Sequence, residues 1–445
     1  MSNEKTLREA PVGKLLPTMS LPVIVVMLVT VLYNMADVFF MGRTGDAVQV
    51  AAISLAGPVF SVISAISTLI GFGSCTAIAI ALGKKDLTRI KKYSSFAFYF
   101  SMVIGIAVMG CILSGMGPLL SMLGTDGQTA EYTAAYLRIL ALGAPFMMVS
   151  GALANTIRAD GDSKSAMIAT MMGTVANILL DPLLISVLGW GIRGASAATV
   201  IGNIISCIVL FVIIRKKKIY SLSIKDFGLR REVSLCVLGL GLPMAAGTLL
   251  MSFATAMSNR LLVQYGNIAV AANGVSGKAG MLISMILMGV CMGIQPAISY
   301  AYGAGERKRT RQILIGTGIA SVAIAVLLSA VFFLFRDNFI SVFLNDTEVI
   351  DFGRRMMLGS IISMPVCAVY QLCTVYLEGT GKISYATLTS LLRQGIVYLP
   401  VLYGMNTLLG LNGLILSAAV ADVLSTIVGV SLSIKWSRKI LYNLI

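Results

Sequence analysis

Long apolar runs alternate with short polar segments along the whole chain. About 20 apolar residues are enough to cross a bilayer as a helix. Runs of this length lie near 15–41, 50–82, 93–116, 129–157, 164–188, 193–214, 233–262, 268–302, 311–335, 349–377, 383–408 and 413–434. The pattern predicts twelve membrane-spanning helices. The first run is too long for a cleavable signal core, so we expect it to be a permanent helix.

The second half of the sequence repeats the first. A shift of 220 positions relates Gly73 to Gly293, Pro145 to Pro365 and Gly161 to Gly381, and a shift of 221 relates Pro22 to Pro243. Duplicated membrane halves are typical of transporters, with the site between or within the halves. We therefore expect an all-α polytopic membrane protein made of two homologous six-helix bundles. The predicted parts are an N-lobe at 1–214, a cytoplasmic linker at 215–232 and a C-lobe at 233–445.

Composition and charge support this interpretation. The chain is 57% hydrophobic and only 12% charged, whereas soluble domains carry about 25% charged residues. Basic residues concentrate in alternate loops, above all in the linker, while the opposite loops contain Arg43, Arg193 and Arg336. By the positive-inside rule both termini are predicted to be cytoplasmic. The same bias explains the net charge of +15 without a nucleic-acid partner.

Two carboxylates lie inside apolar runs of the first half. Asp37 is in the first run, and Asp181 is in the fifth, four residues after Asn177 and directly before Pro182. A spacing of four places Asn177 and Asp181 on one helix face. A buried carboxylate either takes a proton or needs a positive partner, and carboxylate, amide and hydroxyl oxygens also suit a hard cation such as Na⁺. The plainer alternatives are that Asp37 sits at a helix end wetted by the lipid headgroups, and that Asn177 and Asp181 only cap or bridge helices.

These residues carry a family resemblance. With Pro22, Tyr136 and Thr199 they resemble the MATE (multidrug and toxic compound extrusion) transporters of the MOP flippase superfamily, in the branch with an N-lobe aspartate site. The resemblance implies proton or Na⁺ coupling at Asp37, Tyr136, Asn177, Asp181 and Thr199, with Na⁺ held by all of these except Tyr136. It also implies a conformational hinge at Pro22.

The function implied by the resemblance is secondary active efflux of small amphipathic or cationic compounds in exchange for H⁺ or Na⁺. We expect a monomeric bacterial cell-membrane transporter in contact with lipid, neither an enzyme nor a user of a cofactor. The alternative is a flippase for lipid-linked precursors from the same superfamily. A major-facilitator transporter is disfavoured because its loop motif is missing, and a channel or membrane enzyme because neither a filter-like loop nor a catalytic constellation is found.

The second half differs in its charges. It has no acid at the position of Asp37, where Ser258 stands, but Lys278, Arg393 and Asp422 lie at apparent membrane depth. Structural ion pairing would explain these charges, and contact with substrate is the sharper interpretation. We therefore name Lys278 and Arg393 as candidate cavity residues. Met257 and Met281 are added because flexible methionine walls suit varied ligands.

Overall fold

Most of the described chain is helical. A computed structural model describes residues 2–42, 46–228, 231–341 and 347–442, and none of these is in a strand. In the first half the helices are α1 Ser2–Glu9, α2 Val12–Gly42, α3 Ala47–Gly83, α4 Leu87–Ser114, α5 Met116–Met122, α6 Gly127–Arg158, α7 Ser163–Asp181 and α8 Ile192–Lys216. In the second half they are α9 Arg231–Leu262, α10 Asn267–Gly303, α11 Arg307–Leu334, α12 Arg336–Ser341, α13 Thr347–Ile362, α14 Met364–Gly379, α15 Ile383–Leu391 and α16 Tyr398–Tyr442. The prediction of an all-α polytopic membrane fold is confirmed.

The span count agrees with twelve crossings once the last segment is divided. Eleven helical segments of the described chain are long and apolar enough to cross a membrane, and the last one, Ile383–Arg438, has 56 residues. A crossing needs about 20 residues, so this segment accommodates two. The division falls at Gly410, whose φ of 59° interrupts the helical geometry of α16. Gly191, before α8 in the first half, has a similar φ of 53°.

Aspartate side chains cap the first turns of α3 and α4. The Asp46 carboxylate accepts the backbone N–H of Val48 at 2.9 Å before α3. Asp86 accepts the N–H of Arg89 before α4. Such caps satisfy backbone donors that have no partner within the helix. They place the polar ends of these helices outside the apolar spans.

The chain forms two compact units that are not continuous in sequence. The first unit contains Met1–Glu9, Val25–Ala245 and Gly303–Gly305, and the second contains Ala10–Ile24, Ala246–Tyr302 and Glu306–Ile445. The predicted linear division differs from these units in three places, one of which is Gly303–Gly305, a short stretch of the predicted C-lobe that belongs to the first unit. The first half of α2 belongs to the second unit, and the first half of α9 belongs to the first unit. In each helix the change of unit lies two or three residues after a proline, Pro22 or Pro243.

Close backbone packing holds these segments in their units. In the first unit, a Cβ on Gly73 of α3 would lie 1.9 Å from the carbonyl oxygen of Val237 in α9. In the second unit, the Ser20 hydroxyl of α2 donates to the carbonyl of Val290 in α10 at 2.9 Å. A Cβ on Gly293 would lie 2.5 Å from the Ser20 Cα. Small residues at such crossings let helix backbones approach within a membrane.

Most of the linker is bound to the first unit. Tyr99 of α4 donates its hydroxyl to the carbonyl of Leu222 at 3.0 Å, and Ser95 donates to the carbonyl of Ser223 at 2.8 Å. The Phe227 ring stacks on Phe96 of the same helix, with centroids 6.5 Å apart. The segment after α8 is therefore a packed part of the unit rather than a loose tether.

Candidate functional site

The predicted pair Asn177 and Asp181 lies on the last turns of α7. Both residues are buried, with exposed fractions of 3% for Asn177 and 0% for Asp181. The α-helix ends at Asp181, and the chain continues as a short π-helical stretch, Pro182–Val187. Proline cannot donate to the preceding turn, which explains why the regular helix stops there. The carboxylate is thus placed at a local irregularity within a membrane span.

Asn177 and Thr199 line a common cavity in the first unit. This first-unit cavity has a volume of about 320 Å³. It is lined by Thr30, Tyr33, Phe60, Ile63, Ser64, Ser67, Thr68, Met147, Ser150, Gly151, Asn155, Thr170, Gly173, Thr174, Asn177, Thr199, Gly202, Asn203 and Ser206. Of the 19 lining residues, 13 carry a hydroxyl or amide group, and no described lining residue is charged. The cavity therefore offers many neutral polar groups within an apolar bundle.

Two of the predicted residues offer polar atoms in this region. The Asn177 side-chain amide and the Thr199 hydroxyl are buried and form no hydrogen bond with other described residues. Buried polar groups usually have a partner, because leaving them without one is costly. The neighbouring Asn203 behaves differently, since it donates to the Thr199 carbonyl at 2.9 Å. Asn177 and Thr199 therefore retain capacity for a polar or cationic ligand.

Tyr136, Asp37 and Pro22 are not among the described lining residues of the first-unit cavity. Tyr136 of α6 is 9% exposed and belongs to a buried apolar cluster that includes Ile185 and Ile192. The backbone of Asp37 lies in α2, one turn after the cavity residue Tyr33, but its side chain lies outside the described residues. Pro22 lies beside the point where α2 passes between units.

The second unit has a smaller cavity that contains charged groups. This second-unit cavity has a volume of about 230 Å³. It is lined by Met251, Ala254, Thr255, Ser258, Asn259, Asn273, Arg393, Gln394, Tyr398, Ala418 and Asp422. Arg393 lies in a π-helical stretch, Leu392–Ile396, and its Nε donates to the Asp422 carboxylate at 2.6 Å. The Ser363 hydroxyl donates to the other oxygen of Asp422 at 2.8 Å.

Of the four predicted substrate residues, Arg393 alone is among the lining residues of the second-unit cavity. Lys278 is exposed on α10, and Met281 is 48% exposed. Met257 packs against an apolar cluster, and its sulfur accepts a hydrogen bond from the Tyr403 hydroxyl at 3.6 Å. The structure therefore does not bring these four side chains together in one cavity.

Sequence reasoning did not single out most of the lining residues. The signal was a stripe of small hydroxyl residues with helical spacing, such as Ser64, Ser67 and Thr68 of α3. In an apolar span such a stripe marks a face that avoids lipid. Asn203 and Asn273 were detectable in the same way, as amides within predicted spans. Single hydroxyls are common in membrane helices, so this signal alone is weak.

An ion-pair cluster joins the α6–α7 turn to the linker. Lys217 donates to Asp160 at 2.7 Å and contacts Asp162 at 2.8 Å. Burial raises the pKa of the Asp160 carboxyl, although Lys217 opposes this shift. Burial also acts to raise the pKa of Asp162, but hydrogen bonds from Lys217 and Ser165 outweigh it, so the pKa of Asp162 falls below its ordinary value. Lys217 therefore binds the linker to the α6–α7 turn.

The MatE family model matches the chain twice, over residues 22–183 and 243–403. These two matches cover most of the chain and correspond to the two sequence repeats.

The chain belongs to the MatE family.

Curated relatives agree with this membership along almost the full length. The multidrug export protein MepA of Staphylococcus saprophyticus is 30% identical over 406 residues, which is 91% of this chain and 90% of that protein. MepA of Staphylococcus aureus strain NCTC 8325 is 30% identical over 417 residues, which is 94% of this chain and 92% of that protein. The resemblance inferred from the sequence is confirmed.

A solved structure supports the fold. The outward-facing structure of a multidrug resistance MATE family transporter of the MOP superfamily superimposes with a TM-score of 0.93. The superposition covers 99% of each chain at 22% sequence identity. The transporter family places this MatE protein in a membrane, in contact with small-molecule substrates.

Proposed function

We propose that this chain is a secondary active exporter of small amphipathic, mainly cationic compounds, driven by inward movement of H⁺ or Na⁺. The observation that carries the proposal is the full-length similarity to proteins named for multidrug export. Beyond that similarity, we also propose a coupling ion, the residues that bind it and an orientation in the membrane. The protein acts as a monomer in a bacterial cell membrane, with both termini cytoplasmic.

The coupling site is proposed at the end of α7. It consists of Asp181, Asn177 and Thr199, with Asp37 and Tyr136 contributing from neighbouring helices. Asn177 and Thr199 line one cavity, and Asp181 is fully buried one helical turn beyond Asn177. The amide and hydroxyl supply neutral oxygens beside a carboxylate, a set that suits Na⁺. The same carboxylate can instead bind a proton.

Transport then follows from competition between ion and substrate. When Asp181 is charged and binds no ion, the first-unit cavity favours a cationic compound. When H⁺ or Na⁺ neutralises the carboxylate, that preference is lost and the compound is released. Pro22 is proposed as a hinge because α2 passes from one compact unit to the other beside it, where the proline removes a helical hydrogen bond.

Transport in proteoliposomes tests this proposal. Export of a fluorescent cation is measured with a pH gradient or a Na⁺ gradient imposed separately. Asp181→Asn should lose gradient-driven export, whereas Asp126→Asn, which changes an exposed aspartate before α6, should behave as wild type. Adding Asp37→Asn to Asp181→Asn should cause little further loss, because groups of one site are coupled. Normal export by Asp181→Asn, or failure of both gradients to drive wild-type export, would refute the proposed coupling.

A further inference from the structure

The Arg393–Asp422 pair is not required by the fold, since the first half lacks it. A shift of 220 relates Arg393 to Gly173, and the shift of 219 that relates Gly410 to Gly191 relates Asp422 to Asn203. A Cβ on Gly173 would lie 2.2 Å from the carbonyl oxygen of Gly202, so this place admits no side chain. The first half therefore packs backbone against backbone where the second half contains an ion pair.

A buried ion pair contributes little net stability to a fold. Desolvating two charges often costs as much as their attraction returns, and apolar packing at such places is frequently as stable. Both residues line the second-unit cavity, but the Arg393 side chain keeps 19% of its surface exposed and the Asp422 side chain only 5%. The more accessible partner of the pair is thus the cation.

Hydrogen bonding shows which group of the pair can still accept a ligand. Both oxygens of Asp422 are engaged, one by Arg393 Nε and the other by the Ser363 hydroxyl. Arg393 uses only Nε among the described residues, and its guanidinium lies 5.4 Å from the centroid of the Tyr370 ring. Its two terminal amino groups are therefore available on the side of the cavity. Arg393 thus keeps two terminal charged donors, whereas each oxygen of Asp422 already accepts one hydrogen bond.

The other lining groups fit an oxygen-rich ligand. Asn259, Asn273 and Gln394, which carry side-chain amides, are among its lining residues. Met251 supplies an apolar wall. A volume of about 230 Å³ is below the range of about 300–1,000 Å³ for drug-sized pockets. The cavity would therefore take one end of a larger molecule.

We propose that the second-unit cavity is a subsite for the carboxylate of amphipathic cargo, bound in a fork by the terminal amino groups of Arg393. Guanidinium and carboxylate match in planar geometry and form two parallel charge-assisted hydrogen bonds. Asp422 and Tyr370 are positioning residues that orient the guanidinium. This inference rests on the proposed export function and names the residue that would recognise the carboxylate of a cargo molecule.

Binding of two matched dyes to the purified protein in detergent tests the subsite. Rhodamine B carries a carboxylate, and its ethyl ester is the same dye without that negative charge. Arg393→Gln should weaken binding of rhodamine B about tenfold or more, as expected for loss of charge-assisted hydrogen bonds. Binding of the ester should change less than about twofold. Lys308→Gln, which removes an exposed cation of the same half outside the cavity, should leave both affinities unchanged.

A double variant keeps the test decisive if the single variant unfolds. Arg393→Gln leaves Asp422 buried without its cation, which is destabilising. The variant Arg393→Gln with Asp422→Asn replaces both charges with neutral amides and should show the same selective loss of the acid. Asp422→Asn alone should bind the acid at least as tightly as wild type.

Three results would overturn the subsite. The first is equal binding of rhodamine B by wild type and the double variant, and the second is failure of wild type to bind the acid. The third is loss of the ester in Asp422→Asn with the acid unaffected, which would make Asp422 a cation site instead. Export of cations in proteoliposomes does not depend on any of these results, so failure of the subsite and failure of the export function are distinguishable.

Discussion

Substituting Gly73 tests the packing that joins α9 to the first unit. A Cβ on Gly73 would lie 1.9 Å from the Val237 carbonyl oxygen and 2.8 Å from its carbon. Carbon–oxygen contacts between helices normally lie near 3.3 Å, so the two backbones must separate by about 1.4 Å. The obstacle is backbone, which cannot rotate aside as a long side chain could. Gly73→Ala therefore forces a helix crossing apart.

The cost can be estimated from two opposing effects. Overpacking costs about 1–3 kcal/mol, and a contact with backbone belongs at the upper end. Replacing glycine by alanine in a helix stabilises the helix by about 1 kcal/mol. The free energy of unfolding should therefore fall by about 2 kcal/mol in total. A domain of about 150–250 residues, the size range of the first unit, loses about 2–4 °C of melting temperature for each kcal/mol of stability. Gly73→Ala should therefore melt about 4–8 °C below wild type.

A matched control lies on the same helix. Gly57 has no atom within 4 Å of the place where its Cβ would be, so Gly57→Ala should melt at or above the wild-type temperature. Melting is followed in detergent at one heating rate, because unfolding of such proteins is often irreversible. Equal melting temperatures for Gly73→Ala and Gly57→Ala would refute the predicted crossing.

Two further predictions concern the cytoplasmic cluster and the hinge. Because folding lowers the pKa of Asp162 and burial raises that of Asp160, the folded state favours the charge of Asp162 and disfavours that of Asp160. Asp162→Asn should therefore lower the melting temperature more than Asp160→Asn at pH 7. The stability that the Asp162 carboxylate contributes is lost as the pH falls through its lowered pKa. The destabilisation caused by the buried charge of Asp160 is absent below about pH 4, because that carboxyl is then protonated in both the folded and the unfolded state. The difference should shrink towards pH 4, and a constant difference across this range would contradict the assignment. Pro22→Ala should slow transport more than Pro17→Ala, although both prolines lie in α2, because Pro22 alone adjoins the change of unit. Equal transport rates for the two variants, measured in proteoliposomes, would count against the hinge.

The membrane fold was predictable because long apolar runs and a sequence repeat extend over most of the chain. Apolar runs of spanning length identified the helices, and the shift of 220 identified the repeat. Boundaries were less accurate where proline or glycine interrupts a span. The predicted run 349–377 is divided between α13 and α14 beside Ser363 and Pro365, since proline prefers the first turn of a new helix.

The sites were only partly predictable. The spacing of Asn177 and Asp181 indicated a shared helix face, which the structure shows. Ion pairing among Lys278, Arg393 and Asp422 was one expectation, but which cation pairs with Asp422 was not evident from the sequence. Arg393 and Asp422 are 29 positions apart and on different helices. The exchange of α2 and α9 between units also had no sequence signal, since apolar periodicity shows that a face is buried but not which helix covers it.

Because the two units are discontinuous in sequence, neither can finish packing early in translation. The ribosome delivers the chain from its N-terminus, so residues 10–24 leave it long before their partners in 246–302. Until α10 is made, the Ser20 hydroxyl lacks the Val290 carbonyl. Likewise α3 is complete before the stretch of α9 that covers Gly73 exists. Neither unit can finish packing until translation has passed well into the other half, so a chain that stops after the linker would leave a helix surface without its covering segment.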